Sequence, residues 1–455
     1  MKVMKFGGSS LKNSNDFKSV AEIIKKEKDK KIIVLSGAHG VTDKIDSYLN
    51  IGKKDEKAIE ILIKQLKDFH FRICSDAIKN KNISKKIKYD LLKKLEKLKR
   101  IFQGVYYTEE LTDRTKDLIL SYGERFSVKI LEGILCDMNV KAKSFEADSI
   151  GVITDGDFGN ATAILDLVSI NLNKNVSPLL KKNFVPIITG FFGCDNNGNT
   201  TSFGRNGSDY SASVIAYAVD ANEIEIWKDV NGFMSADPNV IKDAHLIDKL
   251  SYEEAAELAY FGAKILHPRT VEPLIKKGIE LQIKNTYKPD LEGTRIGNHR
   301  YIKKNLVKSV AYSKDIACIK IHGSGVGYKP GVLSEIVSHF SKYKINIKSV
   351  ITSQTCITLL LEKKDLQRSY DILSLENIKT VERLEKIKDI ALIAIVGEGI
   401  LSQYGIAAKV FNAVAEKGIN IEMISAGASE VAYYFIVKEK DLKPAIKGIH
   451  KVFFS

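Results

Sequence analysis

Short apolar runs alternate with amphipathic stretches from the first residues onward. Val3 to Phe6 reads as a short apolar strand, and Gly7-Gly8-Ser9-Ser10 reads as a turn. Phe17, Val20 and Ile24 then recur at i, i+3 and i+7, the spacing of a helix buried along one stripe, which Asn13 or Ser14 can cap. Ile32 to Leu35 is continuously apolar and ends in Ser36-Gly37, as a parallel strand buried on both faces would. Strand, helix and strand at this length predict a βαβ unit. Residues 53–100 are rich in Lys and Leu at helical spacing and predict two or three exposed helices forming an excursion from the sheet. Apolar strands return at Val185–Thr189 and Glu223–Trp227, and the polar stretch Gly193 to Ser208 reads as a hairpin turning on Asp195-Asn196-Asn197-Gly198.

Around residues 288–306 the chain becomes polar and basic, with Pro289, Gly293 and Gly297, which marks a domain boundary. Beyond it one pattern occurs twice. A strand (Ala317–Ile321), a glycine loop (Gly323–Gly331), a helix (Val332–Lys342) and two strands (Ile345–Ile351, Cys356–Leu361) are followed by Leu392–Val396, Gly397–Gly405, Ile406–Lys417, Ile419–Ile424 and Ala432–Val437. The matching segments Lys344-Ile345-Asn346-Ile347 and Gly418-Ile419-Asn420-Ile421 lie 74 positions apart. A long period seen twice means two copies of a small α+β domain, not a solenoid.

Composition removes several function classes. At 455 residues the chain is too long for one core, and its 44% hydrophobic and 28% charged content is that of folded domains. No apolar run approaches the roughly 18–20 residues of a membrane helix, and the N-terminus lacks the apolar stretch of a signal peptide, so a cytoplasmic location is expected. Cys74, Cys136, Cys194, Cys318 and Cys356 are scattered singly, which argues against both a disulfide framework and structural zinc. The net charge of +14 invites nucleic acid, but only 10 of the 70 basic residues are Arg, and the lysines fall at helical spacing beside acids. A solvated helix surface accounts for them, so no nucleic-acid partner is expected.

Six segments carry candidate chemistry. Lys5-Phe6-Gly7-Gly8-Ser9-Ser10 places a lysine at a strand end, glycines in the turn and a helix behind, a ready site for phosphate although not a Walker A loop. Ser36-Gly37-Ala38-His39-Gly40-Val41-Thr42-Asp43 follows the next strand and should face the same crevice, since ligands of open parallel sheets sit at the carboxyl ends of strands. It is equally compatible with an ordinary turn capped by Thr42, and His39 reads as a solvated loop residue. Glu124, within Ser121–Ser127, is an acid at a helix start. In Phe203–Ser211, Gly204 and Gly207 flank Arg205, and Ser208-Asp209 open a helix; an Arg fork there suits a carboxylate. Trp227–Gly232, running on to Asp237-Pro238, and Phe261–Pro268 complete the set.

Together and in this order, KFGGSS, GERFS, FGRNGSDYSA, DVNGF…ADP and FGAKILHP resemble the aspartate kinase family of the amino acid kinase superfamily, over essentially the whole chain. The resemblance implies an α/β amino acid kinase fold, an open, mostly parallel sheet between helices, over residues 1–298. Two ferredoxin-like α+β ACT domains should follow at 307–386 and 387–455, with interleaving of the two allowed for. It implies transfer of the ATP γ-phosphate to the β-carboxylate of L-aspartate, giving 4-phospho-L-aspartate, the first step towards lysine, threonine and methionine. ATP and Mg²⁺ are the implied cofactors, with few dedicated protein ligands for the metal. Lys5 and Asp209 are the implied catalytic residues, and Thr42, Glu124, Arg205 and Ser208 hold aspartate. Lys5, Gly7, Gly8, Ser9, Asp229 and Lys264 serve the nucleotide. Phosphoryl transfer to a carboxylate needs no general base, because the nucleophile is already ionised.

The ACT pair implies feedback control by an end-product amino acid, with an effector site formed by Gly331, Val332, Leu333, Ser349, Thr352, Ser353 and Gln354, and a homodimer or dimer of dimers. The Gly427-Ala428-Ser429 run resembles lysine-sensitive members, whereas Lys348 stands where some of them carry an acid; lysine is the first expectation and threonine the second. Three positions depart from the family's pattern: Lys228 for Thr, Met234 for Tyr and Asn239 for Arg, changes expected to bear on base and ribose contacts but not on the reaction. A kinase acting on glutamate, N-acetylglutamate or a nucleotide is the nearest rival, and a silent amino-acid sensor is the rival from another class. No dinucleotide fingerprint follows the repeats, so a fused homoserine dehydrogenase is not expected.

Overall fold

A computed structural model describes residues 1–52, 55–262, 265–298, 306–375 and 380–454. The chain divides into two compact units. The first comprises the described residues of 1–233, 246–256 and 264–299, and the second those of 234–245, 257–263 and 300–455.

The first unit is built on an eight-stranded sheet. Its strands are β1 (Lys2–Phe6), β2 (Lys31–Leu35), β3 (Ala142–Phe145), β4 (Val185–Thr189), β7 (Glu223–Lys228), β8 (Lys249–Ser251), β9 (Glu280–Asn285) and β10 (Thr294–Gly297). The short hairpin β5 (Phe192–Cys194) and β6 (Thr200–Ser202) stands apart and turns at the predicted place. The sheet order is β3-β4-β2-β1-β7-β9-β10-β8, and of its pairings only that of β9 with β10 is antiparallel. Strands β2 and β4 are buried at every position because helices cover both faces of the sheet. Asn13 caps the first helix, Ser14–Lys26, and Phe17, Val20 and Ile24 are fully buried as their spacing requires.

The Lys-rich excursion forms two long helices, Glu56–Ala77 and Lys81–Thr108. They are less exposed than expected. Each buries an apolar stripe, including Ile59, Leu62 and Leu66 on one and Leu91, Leu95 and Phe102 on the other, in the same core as Met4 and Phe6.

The second unit holds two four-stranded antiparallel sheets. One has the order β13-β14-β12-β15, from Ile347–Thr352, Cys356–Glu362, Ile316–His322 and Arg383–Ile387. The other has the order β11-β16-β18-β17, from Ser309–Ser313, Ile390–Val396, Ala432–Lys438 and Met423–Ser425. The helix Val332–Lys342 has the predicted bounds. Strand β11 precedes the first repeat in the chain yet pairs with β16 of the second, because Val310 belongs to that core. A further departure concerns residues 234–245. Ala236 and Val240 are buried in the second-unit core, Val310 N donates to Ser235 O (2.9 Å), and the Tyr312 hydroxyl donates to Asp237 Oδ2 (2.7 Å). Met234 and Asn239 therefore lie in a segment that clusters with the second unit.

Candidate active site

The parallel strands β1, β2, β4 and β7 all end at the same edge of the sheet, and their following turns interlock there. Gly7 N donates to Trp227 O (3.1 Å), Ser36 N to Phe6 O (3.2 Å) and Gly190 N to Leu35 O (2.9 Å). A Cβ at Gly8 would lie 2.9 Å from Gly37 O, so the turn after β1 can approach the turn after β2 only as glycine. Ser9 Oγ donates to Asp229 Oδ1 (3.0 Å), which joins the turn to the end of β7.

Lys5 lies at this edge, in register with Ile226 of β7. Side chains alternate along a strand, so Lys5, Ile226 and Lys228 share one face of the sheet. The helix Gly207–Ala218 presents Asp209 from its first turn, where the helix dipole favours an anion. The Lys5 ammonium lies 2.5 Å from Asp209 Oδ1, and the Lys228 ammonium lies 2.8 Å from Asp209 Oδ2. Lys228 also donates to the carbonyl of Ile265. Burial alone would raise the Asp209 pKa, but Lys228 and Lys5 bring it down to about 2. For Lys5, burial pushes the pKa below the usual lysine value, and Asp209 opposes that change while Lys228 adds to it.

Glu124 occupies the first turn of the helix Tyr122–Asp137 and is 4% exposed. Its Oε1 accepts from Gly37 N (2.9 Å), and its Oε2 is buried without a partner. Burial raises its pKa to about 7, against the pull of the Gly37 N–H and of the Lys5 charge. A buried carboxyl with one free oxygen is set up to meet a cation. Thr42 closes the same corner: its Oγ1 would lie 2.9 Å from a Cβ at Gly37 and 2.6 Å from one at Gly123. Ser208 is buried against Gly190, where a Cβ would lie 2.8 Å from the serine Cβ.

Lys5, Gly7, Gly8, Ser9, Thr42, Glu124, Ser208, Asp209 and Asp229 thus gather at one edge of the sheet. Arg205 is exposed in the loop before the helix Gly207–Ala218, with no ion pair among the described residues. Lys264 lies outside the described residues. His39 is exposed. Lys228, a departure expected to bear on base and ribose contacts, pairs with Asp209.

Two arginines went unassigned in the sequence. Arg125 is buried, pairs with Glu146 and Asp148, and donates to Ser121 Oγ (2.8 Å) and Thr200 Oγ1 (3.2 Å), tying β6 to the helix that carries Glu124. Arg269 donates to Asn160 Oδ1 (3.3 Å), Phe203 O (3.4 Å) and the Ala161 carbonyl, and lies 4.4 Å from the Tyr210 ring, bracing the loop that leads to Asp209. Arg125 stands between Glu124 and Phe126 and Arg269 between Pro268 and Thr270, and neither local pattern names the partners.

In the second unit, the expected effector residues fall into two groups, one at the start of the helix Val332–Lys342 and one on strand β13 and the turn after it. Gly331, at φ +91°, caps the helix that begins with buried Val332 and half-exposed Leu333. Ser349 and Thr352 lie on edge strand β13, and Ser353 and Gln354 form the turn after it. The glycine loop meets that turn: Gly327 N donates to Gln354 O (3.3 Å), and a Cβ at Gly327 would collide with Ser353 O at 1.6 Å. Lys348 marks a β-bulge; its carbonyl accepts from the Tyr260 hydroxyl (2.8 Å), and its ammonium lies 4.9 Å from the Tyr260 ring centre.

Comparison with known proteins matches two stretches of the chain to family models. Residues 1–285 match the amino acid kinase family model, and residues 393–453 match an ACT domain model. The chain is 33% identical over 466 aligned residues to chloroplastic aspartokinase 1 of Arabidopsis thaliana, covering 100% of this chain and 80% of that protein. The crystal structure of E. coli aspartokinase III in complex with aspartate and ADP, in the R-state, superposes with a TM-score of 0.86 at 25% identity, covering 100% of both chains. That of the same enzyme with lysine and aspartate, in the T-state, superposes at 0.81, also at 25% identity and over 100% of both chains.

Proposed function

The chain belongs to the aspartokinase family of amino acid kinases and is an ATP-dependent kinase, and from that premise we propose how its residues divide the work and what controls it. The reaction joins a β-carboxylate oxygen of L-aspartate to the γ-phosphorus of ATP and releases ADP. The observation that carries the assignment is the buried set at the strand ends: Lys5 and Lys228 on the two oxygens of Asp209, with Glu124 beside Gly37.

Lys5, with the backbone N–H groups of Gly7 and Gly8, holds the donor phosphates and offsets charge on the transferring group. Ser9 and Asp229 line the nucleotide side, with Lys264 as a further nucleotide residue. Asp209 orients the lysines. Glu124 takes the aspartate ammonium on its unpartnered Oε2, Thr42 and Ser208 hold the substrate, and Arg205 closes on a carboxylate. Catalysis is then positioning and charge neutralisation. Asp209 is already shared by two lysines, so the donor set suits Mg²⁺ carried on the nucleotide phosphates with water, where it supplies further neutralisation.

Residues 1–298 are proposed as the kinase domain and the two repeats as ACT domains, in a cytoplasmic homodimer or dimer of dimers. The proposed effector is lysine first, threonine second, bound near Gly331–Leu333 and Ser349–Gln354. The T-state E. coli enzyme is a lysine complex, and here the Lys348 ammonium is turned onto the Tyr260 ring, which lessens its repulsion of a second ammonium. The test is ADP release with Mg-ATP and L-aspartate, with and without lysine or threonine. Turnover on aspartate that lysine suppresses supports both halves. Turnover on glutamate and not on aspartate overturns the substrate, and full activity at saturating lysine and threonine overturns the effector.

A further inference from the structure

We propose that Lys228 is a positioning residue of the phosphoryl-transfer centre, which shares the Asp209 carboxylate with Lys5 and thereby leaves the centre with a surplus positive charge for the donor phosphates. The inference rests on the function proposed above and adds a residue to it. Lys228 closes β7 on the same sheet face as Lys5, and Asp209 descends onto that face from the helix Gly207–Ala218. Each lysine takes a different oxygen of one carboxylate, at 2.5 Å and 2.8 Å, with the three side chains 5%, 15% and 2% exposed for Lys5, Lys228 and Asp209 respectively.

Two ammonium groups against one carboxylate leave a net charge of +1. Without Lys228, Lys5 and Asp209 would form a neutral, buried pair, and the ammonium that meets phosphate would be held wholly by its own counter-ion. The second bond of Lys228, to the carbonyl of Ile265, ties the backbone at Ile265 to the same carboxylate. A threonine at this position cannot span from the end of β7 to both acceptors. Lys228 thus has two tasks, one electrostatic and one geometric, and arginine can perform the first with its charge while fitting the second less well.

The full chain carrying Lys228→Met, Lys228→Thr or Lys228→Arg tests this through ADP titration by calorimetry, steady-state kinetics with Mg-ATP and aspartate, and melting temperature. Lys228→Met and Lys228→Thr should each lose about tenfold or more in ADP affinity and in kcat/KM for ATP, with the aspartate KM unmoved. Lys228→Arg should recover a substantial part of the ADP affinity. Parental ADP affinity in Lys228→Thr overturns the inference, as does a folded Lys228→Arg that recovers nothing, or a rise in aspartate KM as large as that for ATP. Should Lys228→Met fail to fold, the threonine and arginine variants decide by the same readouts. A parent that binds ADP but does not phosphorylate aspartate overturns the proposed function alone, and the titrations still decide the role of Lys228.

Discussion

Lys5 and Asp209, 204 positions apart in the sequence, form a buried ion pair at 2.5 Å across the end of β1 and the start of the helix Gly207–Ala218. The pair is unequal in its dependence on other groups. Asp209 keeps Lys228 if Lys5 is removed, whereas both ammonium groups lose their counter-charge if Asp209 is removed. Breaking a buried pair from one side costs about 3–5 kcal/mol because a charge is left unmatched. Lys5→Met and Asp209→Asn should both lower kcat, by about two to three orders of magnitude. Urea denaturation should show the larger stability loss for Asp209→Asn. Equal losses would mean that Lys228 does not support Asp209.

Glu124 should make the stability of the unliganded protein depend on pH. Its folded pKa of about 7 lies above the ordinary 4.5, so the folded chain holds an extra proton between those values. Stability then falls as pH rises through that window, by up to on the order of 3 kcal/mol. Asp209 acts elsewhere: held at about 2, below its ordinary 3.8, it contributes stability that is full above 3.8 and is lost as pH falls through about 2. Glu124→Gln should flatten the melting-temperature slope between pH 5 and pH 7 (about the span of the raised pKa) and leave the acid limb in place. Aspartate binding at a pH just below 7 should release a proton, visible as a buffer-dependent binding enthalpy, and the release should vanish in the glutamine variant.

The two sides of the site should separate by glycine substitution. Gly8 lies in the turn proposed to hold phosphate, where a Cβ would lie 2.9 Å from Gly37 O, whereas a Cβ at Gly123 would lie 2.6 Å from Thr42 Oγ1, in the corner proposed to hold aspartate. Gly8→Ala should mainly raise the KM for ATP and Gly123→Ala mainly that for aspartate, each by about tenfold or more, since sub-ångström displacements of a positioned group have large effects. A reversed pattern would exchange the substrate sides.

How far the site could be read in advance depended on whether chemistry and position lay close in sequence. Lys5-Phe6-Gly7-Gly8 carries its own context of strand, turn and helix, and Asp209 opens a helix that its neighbours predict. Lys228 shows the opposite case. It ends an apolar run, and its partnership with Asp209 depends on the register of β1 against β7 and on which face the helix Gly207–Ala218 covers, neither of which has a local signal. Ala236 and Val240 are similar: an ordinary alternation after the DVNG segment does not say which of two cores will receive them. The repeats were legible because the order of strand, glycine loop and helix recurs, but the exchange of β11 into the second sheet is a long-range pairing that periodicity does not encode.

Arg205 tests the substrate side without disturbing the fold. It is exposed and makes no ion pair among the described residues, so Arg205→Ala should change stability by no more than about 0.5 kcal/mol. Loss of a guanidinium–carboxylate contact should raise the aspartate KM about ten- to a hundredfold and leave the KM for ATP in place. An unchanged aspartate KM would remove Arg205 from the site.

The proposed effector site can be disabled from a position that no effector need touch. Gly327 passes so close to Ser353 O that any side chain would collide at 1.6 Å, and the neighbouring bond from Gly327 N to Gln354 O (3.3 Å) holds the turn against the glycine loop. Gly327→Ala must push Ser353 and Gln354 away from the loop that leads to Gly331. An inhibitor works only through a difference in affinity between two states, and the coupling is typically about 1–3 kcal/mol, so a displaced turn can abolish it without touching catalysis. Ser353→Phe should act similarly by filling the exposed turn. Both variants should keep the parental kcat and aspartate KM and need at least about tenfold more lysine for half-inhibition. Dose–response curves at fixed aspartate would check this, and parental inhibition in both variants would move the effector away from the turn between β13 and β14.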